Sequence, residues 1–183
     1  MKKIALAFVL AAILATGTAF ASPVHPAESL GIGVKFGGNF DNQAFDQDLD
    51  TDFLRSLTAT VRFPNIPLFF GVNFGWGSAE WDDINRVGVS IDSIFLGSYF
   101  GETNFGWFTG LGIYVDFTNF DDLYIGFGGR FPVGLTWQMF NFFEIFGNVV
   151  GHFGTGFQTG QSEPALGEFG WRVGFELGLR IWL

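Results

Sequence analysis

Asp46, Asp48, Asp50 and Asp52 alternate through the stretch DQDLDTD. Four carboxylates at that spacing could gather several oxygens around one hard cation such as calcium. The run lacks the central glycine and the later glutamate of a twelve-residue calcium loop. A solvated acidic loop explains it more plainly; bound calcium is the rarer reading, and no other cofactor is indicated. The two histidines, His25 and His152, lie far apart in sequence, and the chain has no cysteine. Thiol chemistry is therefore absent, as are the Cys-rich and HExxH patterns of zinc sites. No nucleophile stands with a base and an orienting partner, so the chain reads as no enzyme.

A second group of titratable residues behaves differently. Lys35, Arg62, Asp92, Asp116, Arg130, Glu144, Arg172, Glu176 and Arg180 each sit almost alone on one parity of an alternating segment. Their parity is otherwise mostly glycine, serine and threonine, and the opposite parity is Leu, Ile, Val and Phe. In GFELGLRIWL, Phe175, Leu177, Leu179, Ile181 and Leu183 share one face; Glu176, Arg180, Trp182 and two glycines share the other. Five cations thus stand against four carboxylates, with Glu168 at the border. Charges removed from water must be paired, because an orphan costs several kcal/mol. We read them as an ion-pair network filling an interior. The rival reading is a gate whose pairs exchange partners to open a narrow path.

The elements that carry these charges are strands. Period-two alternation recurs in LGIGVKFGGNF, SLTATVRF, LFFGVNFGW, VGVSIDSIFLGSYF, FGWFTGLGIYVDF, LYIGFGGRFPVGLTW, FFEIFGNVVGHF and the closing segment. In the fourth, Val89, Ile91, Phe95 and Tyr99 are placed on the apolar face, which sets Asp92 opposite; a bulge would change that phase. Pro132 cannot donate to a ladder, so a bulge or an edge-like break is expected there. The connections alternate too. PNIP, GETN and QMFN are short, whereas DNQAFDQDLDTD, GSAEWDDINR, TNFDD and GTGFQTGQSEPALG are long.

The opening MKKIALAFVLAAILATGTAFA has two lysines, an apolar run and Ala-Phe-Ala. It reads as a signal peptide over residues 1–21, cut before Ser22, with residues 22–183 forming one barrel domain. Loss of Lys2 and Lys3 leaves seven basic against eighteen acidic residues, a formal charge of −11, which argues against nucleic acid. Charged residues make up only 15% and aromatic residues 19% of the chain. A soluble sandwich would show water a face of Lys, Glu and Gln; here the smaller face is mainly glycine. Glycine suits the narrow lumen of an eight-stranded barrel. The apolar face suits lipid, where every backbone group must be paired. Trp76 and Trp171 near the loop ends, and Tyr99, Trp107 and Trp137 near the turn ends, are read as lipid-facing aromatic girdles.

Strand number, turn asymmetry and alternation together resemble the small eight-stranded outer-membrane proteins of the OmpA, OmpX and OmpW type. The closing Gly178, Leu179, Ile181 and Leu183 resemble the terminal signal read by the outer-membrane assembly machinery. The family usually ends on an aromatic residue, and here Leu183 stands last. The resemblance implies an all-β, up-and-down, antiparallel transmembrane barrel in the cell outer membrane, with both ends periplasmic. It implies outer-membrane lipid and the assembly machinery as partners. Some barrels of this size are lipid A deacylases with a His-x-Ser and a later Glu. The corresponding positions here are His152-Phe153-Gly154 and Glu163, without the serine. The role that remains is a non-enzymatic surface protein, acting through its acidic loops on an unknown extracellular partner or supporting the membrane. The alternative is a narrow channel for small or hydrophobic solutes; a lipid-modifying enzyme is the weaker third.

Overall fold

A computed structural model describes residues 25–26, 28–41, 54–78, 83–119, 123–159 and 169–183. Residues 1–21, read above as a signal peptide, and Asp46, Asp48, Asp50, Asp52, Glu163 and Glu168 lie outside them. Eight strands close into one antiparallel barrel in sequence order. They are β1 (Gly31–Asp41), β2 (Leu54–Arg62), β3 (Leu68–Ser78), β4 (Asp83–Tyr99), β5 (Phe105–Thr118), β6 (Tyr124–Phe140), β7 (Phe143–Gln158) and β8 (Gly170–Trp182). The seam between β1 and β8 runs from Gly31↔Trp182 to Asp41↔Arg172. Beyond it Leu30 and Leu183 exchange backbone hydrogen bonds of 2.9 and 2.8 Å. Strands are longer at the loop end than the alternation suggests. Gly77, Ser78 and Asp83–Arg86, read as loop, continue the β3–β4 ladder.

The parity of the alternation becomes inside and outside. Ile32, Val34 and Phe36 of β1 and Phe175, Leu177, Leu179 and Ile181 of β8 are exposed on the outer wall, while Lys35 and Arg180 are buried within. Inner glycines make room for inner bulk. A Cβ on Gly178 would come within 2.5 Å of the Phe146 ring, and one on Gly31 within 2.7 Å of the Trp182 ring. The narrow lumen is thus filled by large side chains seated over glycines, as packing to interior density requires.

Two expectations about regularity change. Phe95 is an extra residue in β4: Ile94 faces Gly110 but Leu96 already faces Thr109. A bulge of this kind reverses the phase of the residues beyond it. Leu96 therefore points outward, 52% exposed. Tyr99, paired with Gly106, turns to the inner parity at the turn-end rim, so it leaves the proposed girdle. Its hydroxyl donates to Gln138 Oε1 at 2.7 Å. At Pro132 the β5–β6 ladder has a gap and no bulge. Thr109↔Val133 and Gly112↔Arg130 keep one register across it. Thr109 Oγ1 there donates to the Pro132 carbonyl at 3.1 Å. Trp76 and Trp171 near the loop end, and Trp107 and Trp137 near the turn end, stand exposed on the outer wall. The Trp137 ring stacks on Phe105 with centroids 5.1 Å apart.

Candidate functional site

All nine charged residues singled out on the inner parity line the lumen, where they form three tiers. At the turn end, Glu144 is 1% exposed. Its Oε2 accepts from Arg180 at 3.0 Å and from the Trp182 indole at 2.9 Å. Its Oε1 accepts from Thr136 Oγ1 at 2.6 Å. The Arg180 guanidinium also lies 4.3 Å from the Phe146 ring centroid and 4.4 Å from that of Phe69. Cations over ring faces gain most where water is excluded. β7 and β8 place this pair directly, since Glu144 and Arg180 are cross-strand neighbours.

In the middle tier, Glu176 accepts from Lys35 Nζ at 2.7 Å, from Asn148 Nδ2 at 2.7 Å and from Arg130 at 3.3 Å. Arg130 Nε lies 3.0 Å from Asp92 Oδ1. These last two residues sit on either side of Gly112 in adjacent strands. A Cβ on Gly112 would strike the Asp92 carboxylate and approach Arg130 Cγ to 2.9 Å. The glycine is what lets the pair meet across β5.

Nearer the loop end, Arg172 pairs with Asp116 and lies 4.6 Å over the Tyr114 ring. His152 stands edge-on to Tyr114, with centroids 5.2 Å apart, and neighbours both Arg130 and Arg172 in the ladder. Thr155 lies on the outer parity of β7, opposite to His152.

Among the described residues, Arg62 joins the turn-end tier without a carboxylate of its own. Its guanidinium donates to the Pro26 carbonyl oxygen and lies 5.5 Å from the Trp182 ring centroid. Two basic lumen residues were missed in the sequence. Arg86 lies on the inner parity of β4 and donates to Thr118 Oγ1 at 3.2 Å. His25 comes from outside every strand and is buried against Glu144. Arg86 could have been found by extending the alternation of β4 backward; His25 carries no periodic signal at all.

One cavity lies among these tiers. A cavity of about 30 Å³, lined by His25, Ser90, Asp92, Phe146, Asn148 and Arg180 among others, has room for roughly one or two water molecules. Among the described residues no cluster of His, Asp and Glu could hold a metal ion. The described lumen residues pair charge and fill space.

No protein-family model matches the sequence, and no curated protein is similar to it in sequence. Solved structures do resemble it. The outer membrane protein OprG from Pseudomonas aeruginosa superposes with a TM-score of 0.51 at 12% identity, over 87% of this chain and 97% of that one. Neisserial surface protein A gives 0.49 at 8% identity, over 83% of this chain and 96% of that one. At such identity the likeness speaks for the fold alone, that of a small eight-stranded outer-membrane barrel.

Proposed function

We propose that the chain is an integral outer-membrane protein without a catalytic role. Its barrel is a filled scaffold, and its acidic loops act at the cell surface, either in recognition or in support of the membrane. The observation that carries this reading is the lumen, crossed by three tiers of charged side chains with a cavity of only about 30 Å³ between them. An outer wall of exposed Phe, Leu, Ile and Val, with tryptophans near both ends, supports insertion in lipid. The folded protein should fractionate with outer membranes and migrate differently on a gel before and after boiling. In planar bilayers it should show little or no steady conductance. Large, stable, ion-selective steps would turn the reading to the narrow channel, and recovery in the soluble periplasm would sink both.

Recognition, if the protein has that role, belongs to the loops. The outer wall can specify only lipid, and the turns PNIP, GETN and QMFN are short and carry one carboxylate between them. Loops on a rigid scaffold are where binding usually resides. The aspartates of the 41–52 segment would raise a negative potential attractive to cations or to a basic partner. Shortening that segment with loss of Asp46, Asp48, Asp50 and Asp52 should leave the heat-dependent gel shift intact and abolish any partner or divalent-cation binding. Titration of both forms with calcium checks this, and equal binding would move the site elsewhere.

A further inference from the structure

The turn-end mouth is closed by residues that belong to no strand. The His25 ring is 6% exposed. It meets Phe69 of β3 and Phe108 of β5 edge-on, with centroids 5.2 and 5.6 Å away, and lies tilted against Trp182 of β8 at 5.8 Å. Its Nε2 is 3.3 Å from Glu144 Oε1 on β7. The next residue, Pro26, gives its carbonyl oxygen to the Arg62 guanidinium on β2. Two tail residues thus engage five strands, and the 30 Å³ cavity opens behind the imidazole.

We propose that His25 and Pro26 form a removable stopper for the turn-end mouth, seated on Glu144 and Arg62 while the imidazole is neutral and released when it is protonated. Among the described residues, the contacts are ring edges and single polar bonds made by a segment outside the ladder. The stopper can therefore leave without breaking any strand pairing, as a local opening of low cost. It closes the space beneath the Lys35–Glu176–Arg130 tier whether or not that tier ever opens.

The charges around the seat explain the proton dependence. Glu144 from β7, Arg62 from β2 and Arg180 from β8 act on His25, while Phe69, Phe108 and Trp182 are uncharged. One carboxylate already answers two guanidiniums, and an imidazolium would be a third cation. Burial pushes the imidazole below its usual 6.5; Glu144 opposes that shift, and Arg180 and Arg62 add to it. The seated ring therefore takes up a proton less readily than a released one. The seated form is fully favoured above about 6.5 and loses ground as pH falls below that value.

The absence of cysteine makes a clean test available. Ser90→Cys places one thiol on the cavity wall, at a position only 6% exposed. The full chain, reconstituted in lipid, is labelled with a small charged methanethiosulfonate. Rates are taken at about pH 7.5 and about pH 5, on either side of the ordinary imidazole value. Comparing variants at one pH cancels the change in thiolate fraction. At the higher pH, His25→Ala should label at least about tenfold faster than the Ser90→Cys parent, equivalent to ~1.4 kcal/mol less closure. At the lower pH the two rates should converge. His25→Gln, which can still donate to Glu144 but cannot become charged, should stay slow at both. The heat-dependent gel shift reports that each variant is folded. A folded His25→Ala no faster than the parent at the higher pH would overturn the stopper. Acid acceleration in His25→Gln equal to the parent's would overturn protonation of His25 as its release.

Discussion

Glu144→Ala should be the most damaging single truncation in the lumen, costing about 3–5 kcal/mol of barrel stability. The carboxylate is the common acceptor of Arg180, Trp182 and Thr136, and His25 sits against it. Its loss leaves a buried guanidinium without its counter-charge and three donors, from Trp182, Thr136 and His25, without an acceptor. Desolvation of those orphans, more than the lost attraction, sets the size of the effect. The urea midpoint of the unboiled gel band, measured in lipid vesicles, reads it directly. The double variant Glu144→Gln with Arg180→Met should recover a good part of the loss, because no unpaired charge then remains. An unchanged midpoint for Glu144→Ala would mean that water reaches this tier freely and that the lumen is not filled.

Gly128→Ala and Gly129→Ala, one residue apart, should give opposite results. A Cβ on Gly128 points inward, onto the Phe153 carbonyl oxygen and within 2.6 Å of Gly154 Cα. Both obstacles are backbone held by the β6–β7 ladder, where Gly128 pairs with Gly154, so neither can swing aside. The expected cost is about 3 kcal/mol, the upper end of the usual range for overpacking. A Cβ on Gly129 points outward and meets nothing nearer than the Gly112 carbonyl oxygen at 3.9 Å. That substitution should stay within about 0.5 kcal/mol, as surface changes usually do. Folded yield and urea midpoint for the two proteins decide it, and equal losses would show that the inner wall is not close-packed at Gly128.

The same contrast explains what could be read in the sequence. Fold and lumen membership were legible because glycine and isolated charge fall on one parity and Leu, Ile, Val and Phe on the other, strand after strand. Partner choice was not legible. Glu144–Arg180 and Arg130–Asp92 depend on the stagger between strands, which alternation within a strand does not encode. Tyr99 was misplaced because Ser93-Ile94-Phe95-Leu96 carries apolar residues on both parities and so hides the extra residue. Pro132 announced the missing donor correctly, but a ladder can skip a bond without changing register. His25 was invisible for another reason: a tail that enters a barrel leaves no period behind.

The seam between β1 and β8 carries a consequence for how the chain folds. Gly31 meets Trp182 and Asp41 meets Arg172, so these contacts join nearly opposite ends of the sequence. Contacts of such long separation form late and slowly, since the loop entropy must be overcome before they contribute. Until they form, β1 and β8 are two bare edges, each able to pair with any other strand it meets, including one from a second copy. Every hairpin can be complete and the molecule still be adhesive. Closure is therefore a single late event that turns an aggregation-prone sheet into an object without edges, and whatever holds the chain dispersed must act until the last strand has found the first.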